Sequence, residues 1–268
     1  MSEWPNEQDL RSCGLVPAQV QILSLAFNLF QKMKKRYIGI LLLLILVLFA
    51  VNYQIIDNYL VNSFNAEESA IVERIIDGDT IEAGNKTIRL LGINTPERGE
   101  KYYQEAKDFL GKEILNKSIF LGYGKEREDK YHRTLAYVFL EEENIDIKIV
   151  ENGFANYYFP SGRDKYYYRF KEAWEKCIKN NKNLCEKSED KCSQCMILTY
   201  SGEIATLKNI CAFSCSIEAW IIKGEGRKIF DLPNISMEQD EQVEINVEKQ
   251  DTLFLRDKEN KLVLWKSY

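Results

Sequence analysis

The stretch IIDGDTIEAGNKTIRLLGINTPE, residues 75–97, decides most of the fold that the sequence predicts. The segments 70–76 and 79–83 alternate in polarity and are rich in isoleucine, a pattern typical of two strands joined by a tight turn. A third strand is expected from Lys86 to Ile93, and Pro96 stiffens the turn that follows it. The region therefore begins with three strands whose turns carry polar side chains.

Hydrophobic periodicity predicts two more strands and three helices after this stretch. The strands are expected at Ser118–Tyr123 and Thr134–Leu140, and the helices at Lys101–Asn116, Ile145–Asn152 and Asp164–Asn180. Five strands with helices between them are the composition of a small closed barrel of the OB type. We therefore expect an α+β, five-stranded OB-fold barrel over residues 70–188.

Oxygen-bearing side chains gather at the turns of the first three strands. Asp79 follows a glycine turn, and Asn94 and Glu97 stand where the third strand ends. Carboxylate and amide oxygens are the ligands that Ca²⁺ and Mg²⁺ prefer in proteins. The pattern predicts a site for one hard cation.

Two arginines add a place for a phosphate group. Arg89 lies on the third strand, and Arg133 belongs to the separate turn DKYHR at 129–133. The fork of a guanidinium suits phosphate oxygens. Each motif alone is common as a hairpin turn, a helix start or a polar loop, but their order and strand context favour one shared site. His132 is the single histidine, which argues against a Ser-His-Asp triad, a His-rich zinc site and a two-histidine phosphodiesterase.

Residues 70–187 resemble a thermonuclease (staphylococcal nuclease-like) domain through the stretches IIDGDTI, IRLLGINTPE, DKYHRTLAYVF and ENGFA. The resemblance implies an OB-fold barrel and Ca²⁺-dependent hydrolysis of single-stranded DNA or RNA. It also implies that Asp79, Asn94 and the backbone carbonyl of Thr95 bind the metal. Glu97 would position or deprotonate the attacking water.

The same resemblance implies roles for several cationic and aromatic residues. Arg89 and Arg133 would bind the phosphate and stabilise the transition state, with Arg133 nearest the leaving oxygen. Lys130 and Tyr131 would contact a neighbouring phosphate. Tyr157, or the tyrosine that follows it, would stack on a base.

Two positions depart from the pattern of that family. Asn94 stands where the best-known members carry Asp, so one negative charge is missing and we expect weaker metal binding. His132 stands where Gly is common, so the turn is expected to need a positive φ at an exposed residue.

An apolar segment precedes the predicted barrel. No charged residue occurs from Tyr37 to Ile56, and this length at helical rise matches a hydrocarbon core of roughly 30 Å. Basic residues at 32–36 precede it and Asp57 follows. The positive-inside rule therefore predicts a transmembrane helix over 37–56, with residues 1–36 cytoplasmic and the catalytic part outside at the cell membrane. Residues 57–69 are expected to be a linker. A signal peptide that is cleaved to give a secreted protein is the alternative.

The first 32 residues allow two interpretations. Met33 begins the sequence MKKRY, which is typical of a short cytoplasmic start, so residues 1–32 would be an upstream extension arising from start-site choice. Their apolar residues also fall at helical spacing, which predicts a short amphipathic helix on the inner leaflet.

Six of the seven cysteines lie in the part predicted to be outside. An even number in an oxidising compartment favours three disulfides among Cys177, Cys185, Cys192, Cys195, Cys211 and Cys215, with the pairing undetermined. The alternative is a zinc ion held by the last four, whose spacing resembles a four-thiolate ribbon. The predicted topology favours disulfides.

The tail, residues 189–268, has short apolar alternations separated by turn clusters, which predicts an all-β, immunoglobulin-like sandwich. Residues 195–268 resemble a lamin-tail domain through EIATLKN (203–209), SIEAWIIK (216–223) and DTLFLRDKENKLV (251–263). That resemblance implies a binding or tethering module with an unknown ligand, and it places Trp220 in the core.

Together these expectations describe a membrane-anchored, outward-facing, Ca²⁺-dependent nuclease. The net charge of −5 is mild evidence against tight, non-specific binding to duplex nucleic acid. The alternative is a nuclease-like barrel at the cell surface that binds nucleic acid or a protein without cutting. The presence of Asp79, Arg89, Glu97 and Arg133 favours the enzyme, because a pure binder does not need all four.

Overall fold

The computed structural model describes residues 37, 39–48, 51–52, 68–247 and 252–267. The predicted cytoplasmic segment 1–36, with both interpretations of its start, lies outside the described residues, as do residues 57–67 of the predicted linker. The chain divides into two compact units, 1–60 and 61–268.

Within the first unit, residues 37, 39–48 and 51–52 are helical. Among the described residues, none belongs to a helix with the length and apolar character needed to cross a bilayer. Of the span predicted at 37–56, residues 38, 49–50 and 53–56 are outside the description.

The second unit begins with a barrel and its helices. In chain order, its elements are β1 (Glu68–Asp77), β2 (Thr80–Ala83), β3 (Lys86–Leu90), β4 (Ile93–Asn94), α1 (Tyr103–Ile114), β5 (Ser118–Glu128), β6 (Thr134–Leu140), β7 (Glu143–Asn144), α2 (Ile145–Glu151), β8 (Asn156–Tyr157) and α3 (Tyr167–Asn180). The main sheet has the order β3-β2-β1-β5-β6-β7, and a further pairing of β3 with β6 closes it. The five-stranded closed barrel of the OB type is therefore confirmed.

Strand register and bulges explain how so short a sheet closes. The parallel pairing of β3 with β6 joins Ile88 to Thr134 and Leu90 to Ala136. β1 contains two register shifts, one on each side of the segment Arg74–Ile75, and such bulges let a strand bend around a small barrel. The interior is filled by apolar side chains that include Val72, Ile81, Ile88, Leu90, Ile119, Leu121 and Val138.

The two ends of α2 set the path of the chain into β8. Asn144 caps the first turn, because its side-chain oxygen accepts a hydrogen bond from the Ile147 N–H at 2.9 Å. Gly153 follows the helix with a φ of 72°. A Cβ at that position would lie 2.3 Å from the carbonyl oxygen of Lys182, so no other residue fits.

The remainder of the second unit is all-β. Its strands are β9 (Met196–Ser201), β10 (Ile204–Asn209), β11 (Cys215–Ser216), β12 (Ile221–Gly224), β13 (Ile229–Asp231), β14 (Ser236–Met237), β15 (Gln242–Asn246), β16 (Thr252–Arg256) and β17 (Leu262–Ser267). The larger sheets have the orders β15-β10-β9 and β13-β12-β16-β17. Side chains from both sheets share one apolar cluster that contains Trp220, which is the predicted position for that residue.

Three disulfides link the six cysteines of this unit. They join Cys177 to Cys185, Cys192 to Cys215, and Cys195 to Cys211. The zinc alternative is wrong, because the four proposed thiolate ligands are bonded to one another in two of these pairs. Cys13 lies outside the described residues.

The barrel and the C-terminal strands are packed firmly together. Phe254 of β16 belongs to the apolar cluster of the barrel, and its ring centroid lies 5.1 Å from that of Trp174 on α3. Arg256 is buried and its Nη1 donates to the Leu184 carbonyl at 2.9 Å. Burial lowers the pKa of Arg256 to about 10, although nearby Glu100 acts in the opposite direction. This packing fixes the position of the loop between β12 and β13 relative to the barrel.

Candidate active site

A cleft of about 760 Å³ opens between the barrel and the loop at 225–228, which joins β12 to β13. The barrel side of the cleft includes Arg89, Asn94, Lys130, Tyr131, Arg133 and Tyr158, and the other side includes Glu225, Gly226, Arg227 and Lys228. The structure thus brings the two predicted phosphate-binding arginines and a predicted metal ligand to one place.

Asp79 is buried next to this cleft, in the two-residue turn that joins β1 to β2. Its Oδ2 accepts hydrogen bonds from the Thr95 N–H at 3.2 Å and from Thr95 Oγ1 at 3.0 Å. Its Oδ1 accepts from Thr80 Oγ1 at 3.0 Å. These contacts hold the carboxylate beside Thr95, and the three predicted metal-binding positions 79, 94 and 95 are therefore adjacent.

Arg89 is a nearly buried cation that is held in a fixed orientation. Its Nη1 donates to the Leu90 carbonyl and its Nη2 to the Ile93 carbonyl, each at 2.9 Å. Nη2 also lies 3.1 Å from Asp79 Oδ2. A buried charge needs such partners, since an unpaired one is expensive to remove from water. The guanidinium is therefore preorganised at the wall of the cleft.

Asn94 and Asn156 form a pair of amides across the short β4–β8 ladder. Asn94 Nδ2 donates to the Gly226 carbonyl at 3.2 Å, and Asn156 Nδ2 donates to the Glu225 carbonyl at 2.7 Å. Both side chains are buried. Two successive carbonyls of the loop are thus held by two neighbouring side chains of the barrel.

Arg133 approaches the cleft from a self-contained turn. Its Nε donates to Asp129 Oδ2 at 2.8 Å, and the Asp129 Oδ1 accepts from the Tyr131 N–H at 2.8 Å. Partial burial raises the pKa of Asp129, but hydrogen bonds from the Arg133 backbone and side chain outweigh it and leave the pKa below its ordinary value. His132 has a φ of 62°, so the expected positive φ is confirmed, and its ring is exposed. Lys130 is exposed in the same turn.

Glu97, the predicted base, is partly exposed and is paired with a residue that the sequence did not suggest. Arg227 Nε lies 2.6 Å from Glu97 Oε1. The Glu97 N–H donates to Glu100 Oε2 at 2.7 Å, which fixes the backbone after Pro96. The carboxylate remains accessible to water, because 43% of its side-chain surface is exposed.

Tyr157 does not reach the cleft, and its predicted stacking role is wrong in this structure. The ring is fully buried, and its hydroxyl lies 3.1 Å from Thr252 Oγ1. It packs edge-on against Phe254 and Trp265 of the C-terminal strands. A base cannot stack on a ring enclosed between two packed domains, whereas Tyr158, the alternative that the sequence left open, lines the cleft.

Sequence reasoning missed the loop residues Gly226, Arg227 and Lys228. Their signal in the sequence is the run GEGRK at 224–228, which is typical of a polar hairpin turn and of nothing more specific. Their place at the site depends on packing between two domains, which no local pattern reveals.

The three predicted metal ligands have the oxygen chemistry that Ca²⁺ prefers, but only one of them carries a negative charge. Asp79, Asn94 and the carbonyl of Thr95 are all hard oxygen donors, the type that Ca²⁺ prefers. In the part of the chain that the structure describes, no group of three or more His, Cys, Asp or Glu side chains is arranged to hold a metal.

Comparisons with known proteins agree with this geometry. A family model described as "Staphylococcal nuclease homologue" matches residues 87–187. The thermonuclease of Staphylococcus intermedius is 35% identical over 130 residues, covering 45% of this chain and 77% of that protein. The thermonuclease of Staphylococcus hyicus is 34% identical over 128 residues, covering 44% and 76% respectively. Endonuclease YhcR of Bacillus subtilis is 28% identical over 148 residues, covering 47% of this chain and 12% of that protein.

Proposed function

The chain belongs to the staphylococcal nuclease family and is a nuclease, and from that premise we propose that it hydrolyses single-stranded DNA or RNA in a Ca²⁺-dependent reaction. The observation that carries the proposal is the cleft itself. Arg89 and Arg133 line one wall of it, Asp79 forms an ion pair with Arg89, and the same carboxylate accepts hydrogen bonds from Thr95, the residue after Asn94. Cations for a phosphate and oxygens for a cation therefore meet at one place.

The metal-binding residues would be Asp79, Asn94 and the Thr95 carbonyl. Bound Ca²⁺ would supply charge neutralisation for a phosphoryl oxygen. Before a cation binds, Asp79 is satisfied by Arg89 and by Thr95. The carboxylate is thereby kept in position, and little reorganisation is required when the site fills.

The two arginines and one glutamate would carry the remaining chemistry. Arg89, held by two backbone carbonyls, would bind a non-bridging phosphate oxygen, and Arg133 would stabilise charge on the leaving oxygen. Glu97 would accept a proton from water as the water oxygen attacks phosphorus. Asp129 would act on Arg133 as a positioning residue, since it fixes the guanidinium from behind.

A cleavage assay tests the proposal. Full-length protein in mild detergent is incubated with end-labelled single-stranded DNA and RNA, with Ca²⁺ or with a chelator. We expect cleavage that requires Ca²⁺ and that falls by about 100-fold or more in Arg133→Ala. Arg74→Ala is the matched control, because Arg74 is an exposed arginine paired with Glu82 on the neighbouring strand. Binding without cleavage by the folded wild type would refute the enzyme.

We also propose that residues 37–56 anchor the protein in the cell membrane and that the barrel faces outward. The support is the uncharged segment with its basic N-terminal flank, together with three disulfides, which persist in oxidising compartments. After alkaline extraction of membranes the protein should stay in the membrane fraction, and protease added to intact cells should digest it. Recovery of full-length protein in the soluble fraction would rule the anchor out.

We further propose that the C-terminal strands form a lamin-tail-like module. The three stretches that carry this resemblance coincide with β10, with the segment leading into β12, and with β16 and the start of β17. An experimental structure of the C-terminal part provides the test, since a strand order unlike that of lamin tails would reject the assignment.

A further inference from the structure

We propose that the loop 225–228 of the C-terminal domain is part of the nucleic-acid site, and that Arg227 and Lys228 bind a backbone phosphate of a single strand beside the scissile one. This inference rests on the proposed nuclease function and deepens it. It assigns a substrate-binding role to a domain outside the residues that the family model matches.

The loop is held at the cleft by several specific contacts. Asn94 and Asn156 donate to the successive carbonyls of Gly226 and Glu225. At the start of the hairpin, Lys223 Nζ lies 2.9 Å from both carboxylate oxygens of Glu100, and this ion pair is largely shielded from solvent. Anchoring by buried amides and a shielded ion pair gives the loop a defined position next to β4.

The charges on the two walls of the cleft make it suited to a polyanion. Arg89, Lys130 and Arg133 lie on the barrel side, and Arg227 and Lys228 lie on the loop side. Against these five cations the lining has one carboxylate, that of Glu225, which is buried. A cleft with such an excess of cations concentrates anionic ligands, even on a protein whose net charge is −5. A strand lying in the cleft would have cations on both sides of its phosphates. Tyr158, on the barrel side, offers a ring on which a base can stack.

Arg227 can change partners when substrate arrives. Its ion pair with Glu97 is well exposed, with 64% of the Arg227 and 43% of the Glu97 side-chain surface accessible. Exposed pairs of this kind contribute little to stability. A phosphate can therefore take Arg227 from Glu97 and leave the carboxylate to interact with water. Substrate binding would then break the ion pair between Arg227 and Glu97 and free the Glu97 carboxylate to act as a base.

The test measures binding separately from cleavage. A fluorescein-labelled single-stranded DNA oligonucleotide is titrated with full-length protein in chelator, by fluorescence anisotropy at several salt concentrations. We expect Arg227→Ala to weaken binding about 10-fold and to reduce the slope of log affinity against log salt by about 0.7. Lys228→Ala should act in the same direction. Arg227→Lys should keep the slope, because it keeps the charge.

Lys208→Ala is the matched control, because Lys208 is a partly exposed cation of β10, a strand of the sheet that does not carry the loop, and it pairs with Asp240. Its affinity and salt slope should equal those of the wild type. With Ca²⁺ present, Arg227→Ala should raise KM by a similar factor and change kcat by less than about 3-fold.

Two results would overturn the inference. One is an affinity and salt slope that do not change in Arg227→Ala and Lys228→Ala. The other is a raised kcat with unchanged affinity, which would show that Arg227 only blocks Glu97. A wild type that binds with this salt dependence but never cleaves would refute the proposed nuclease reaction and leave the loop's role intact.

Discussion

Replacing Asn94 by Asp tests two consequences of one side chain. Asn94 is a proposed Ca²⁺ ligand, and its Nδ2 also donates to the Gly226 carbonyl at 3.2 Å. An aspartate adds a negative charge to the metal site and removes that hydrogen bond. The variant should therefore bind Ca²⁺ more tightly and hold the loop less well.

The two effects can be estimated separately. Losing a neutral hydrogen bond costs about 1 kcal/mol, and placing a carboxylate against the Gly226 carbonyl adds a cost of about the same size. In chelator, the free energy of unfolding should thus fall by about 1–2 kcal/mol. A second carboxylate ligand should tighten Ca²⁺ binding about 10-fold or more, which is at least about 1.4 kcal/mol.

Asn156→Asp is the matched control. Asn156 is also buried and faces Asn94 in the β4–β8 ladder. It donates to the adjacent carbonyl of the same loop, that of Glu225, but it is not a proposed Ca²⁺ ligand. Calorimetric titration with Ca²⁺ and urea unfolding in chelator are measured for both variants. Both should lose stability in chelator, and Asn94→Asp alone should gain affinity. Equal changes in Ca²⁺ affinity, or none in Asn94→Asp, would refute the reasoning.

Three further predictions concern groups around the site and in the two cores. Burial raises the pKa of Asp146 well above its ordinary value, and this effect outweighs the hydrogen bond from the Val138 N–H, which lowers the pKa. The folded state therefore favours the protonated acid. The free energy of unfolding falls as the pH rises above the pKa that Asp146 has in the unfolded chain. In urea titrations, Asp146→Asn should therefore change the free energy of unfolding more favourably at pH 8 than at pH 5, and an equal change at both pH values would contradict this. Replacing both Cys195 and Cys211 by Ser opens a disulfide with a sequence separation of 16, and the loop-closure entropy predicts a loss of about 3 kcal/mol in the same assay. Asp129→Asn should lower kcat/KM about 10-fold, because it weakens the contact that positions Arg133, while a merely structural role would reduce stability and leave kcat/KM alone.

Much of the barrel could be predicted from the sequence because its signals are local. The alternation of polarity on each side of Asp77-Gly78-Asp79 specifies a hairpin, and the structure has β1 and β2 there. The positive φ at His132 was also predictable, since a turn of that kind favours glycine. The order of Asp79, Arg89 and Arg133 indicated one site because strand ends and turns of a barrel gather on one side.

The errors and omissions involve contacts between residues distant in the chain. Tyr157 is the last residue of β8 and Tyr158 follows it directly. Neighbouring side chains of an extended chain point to opposite sides, so an error of one position in the alignment decides which ring is expected to be buried. The pairing of Asn94 with Asn156 joins two strands of two residues each, which are too short to show a periodic pattern of polarity in the sequence. The approach of Arg227 to Glu97 requires the packing of two domains.

The most direct test of the account is the single-turnover rate of cleavage by Glu97→Gln with Ca²⁺ and single-stranded DNA. Glu105→Gln on α1 is the matched control, because Glu105 is an exposed glutamate in the first turn of that helix. We predict that Glu97→Gln lowers the rate by about 100-fold to 10,000-fold, the range for loss of a general base, and that Glu105→Gln leaves it unchanged. Cleavage by Glu97→Gln at the wild-type rate would show that the reaction does not use this site as described.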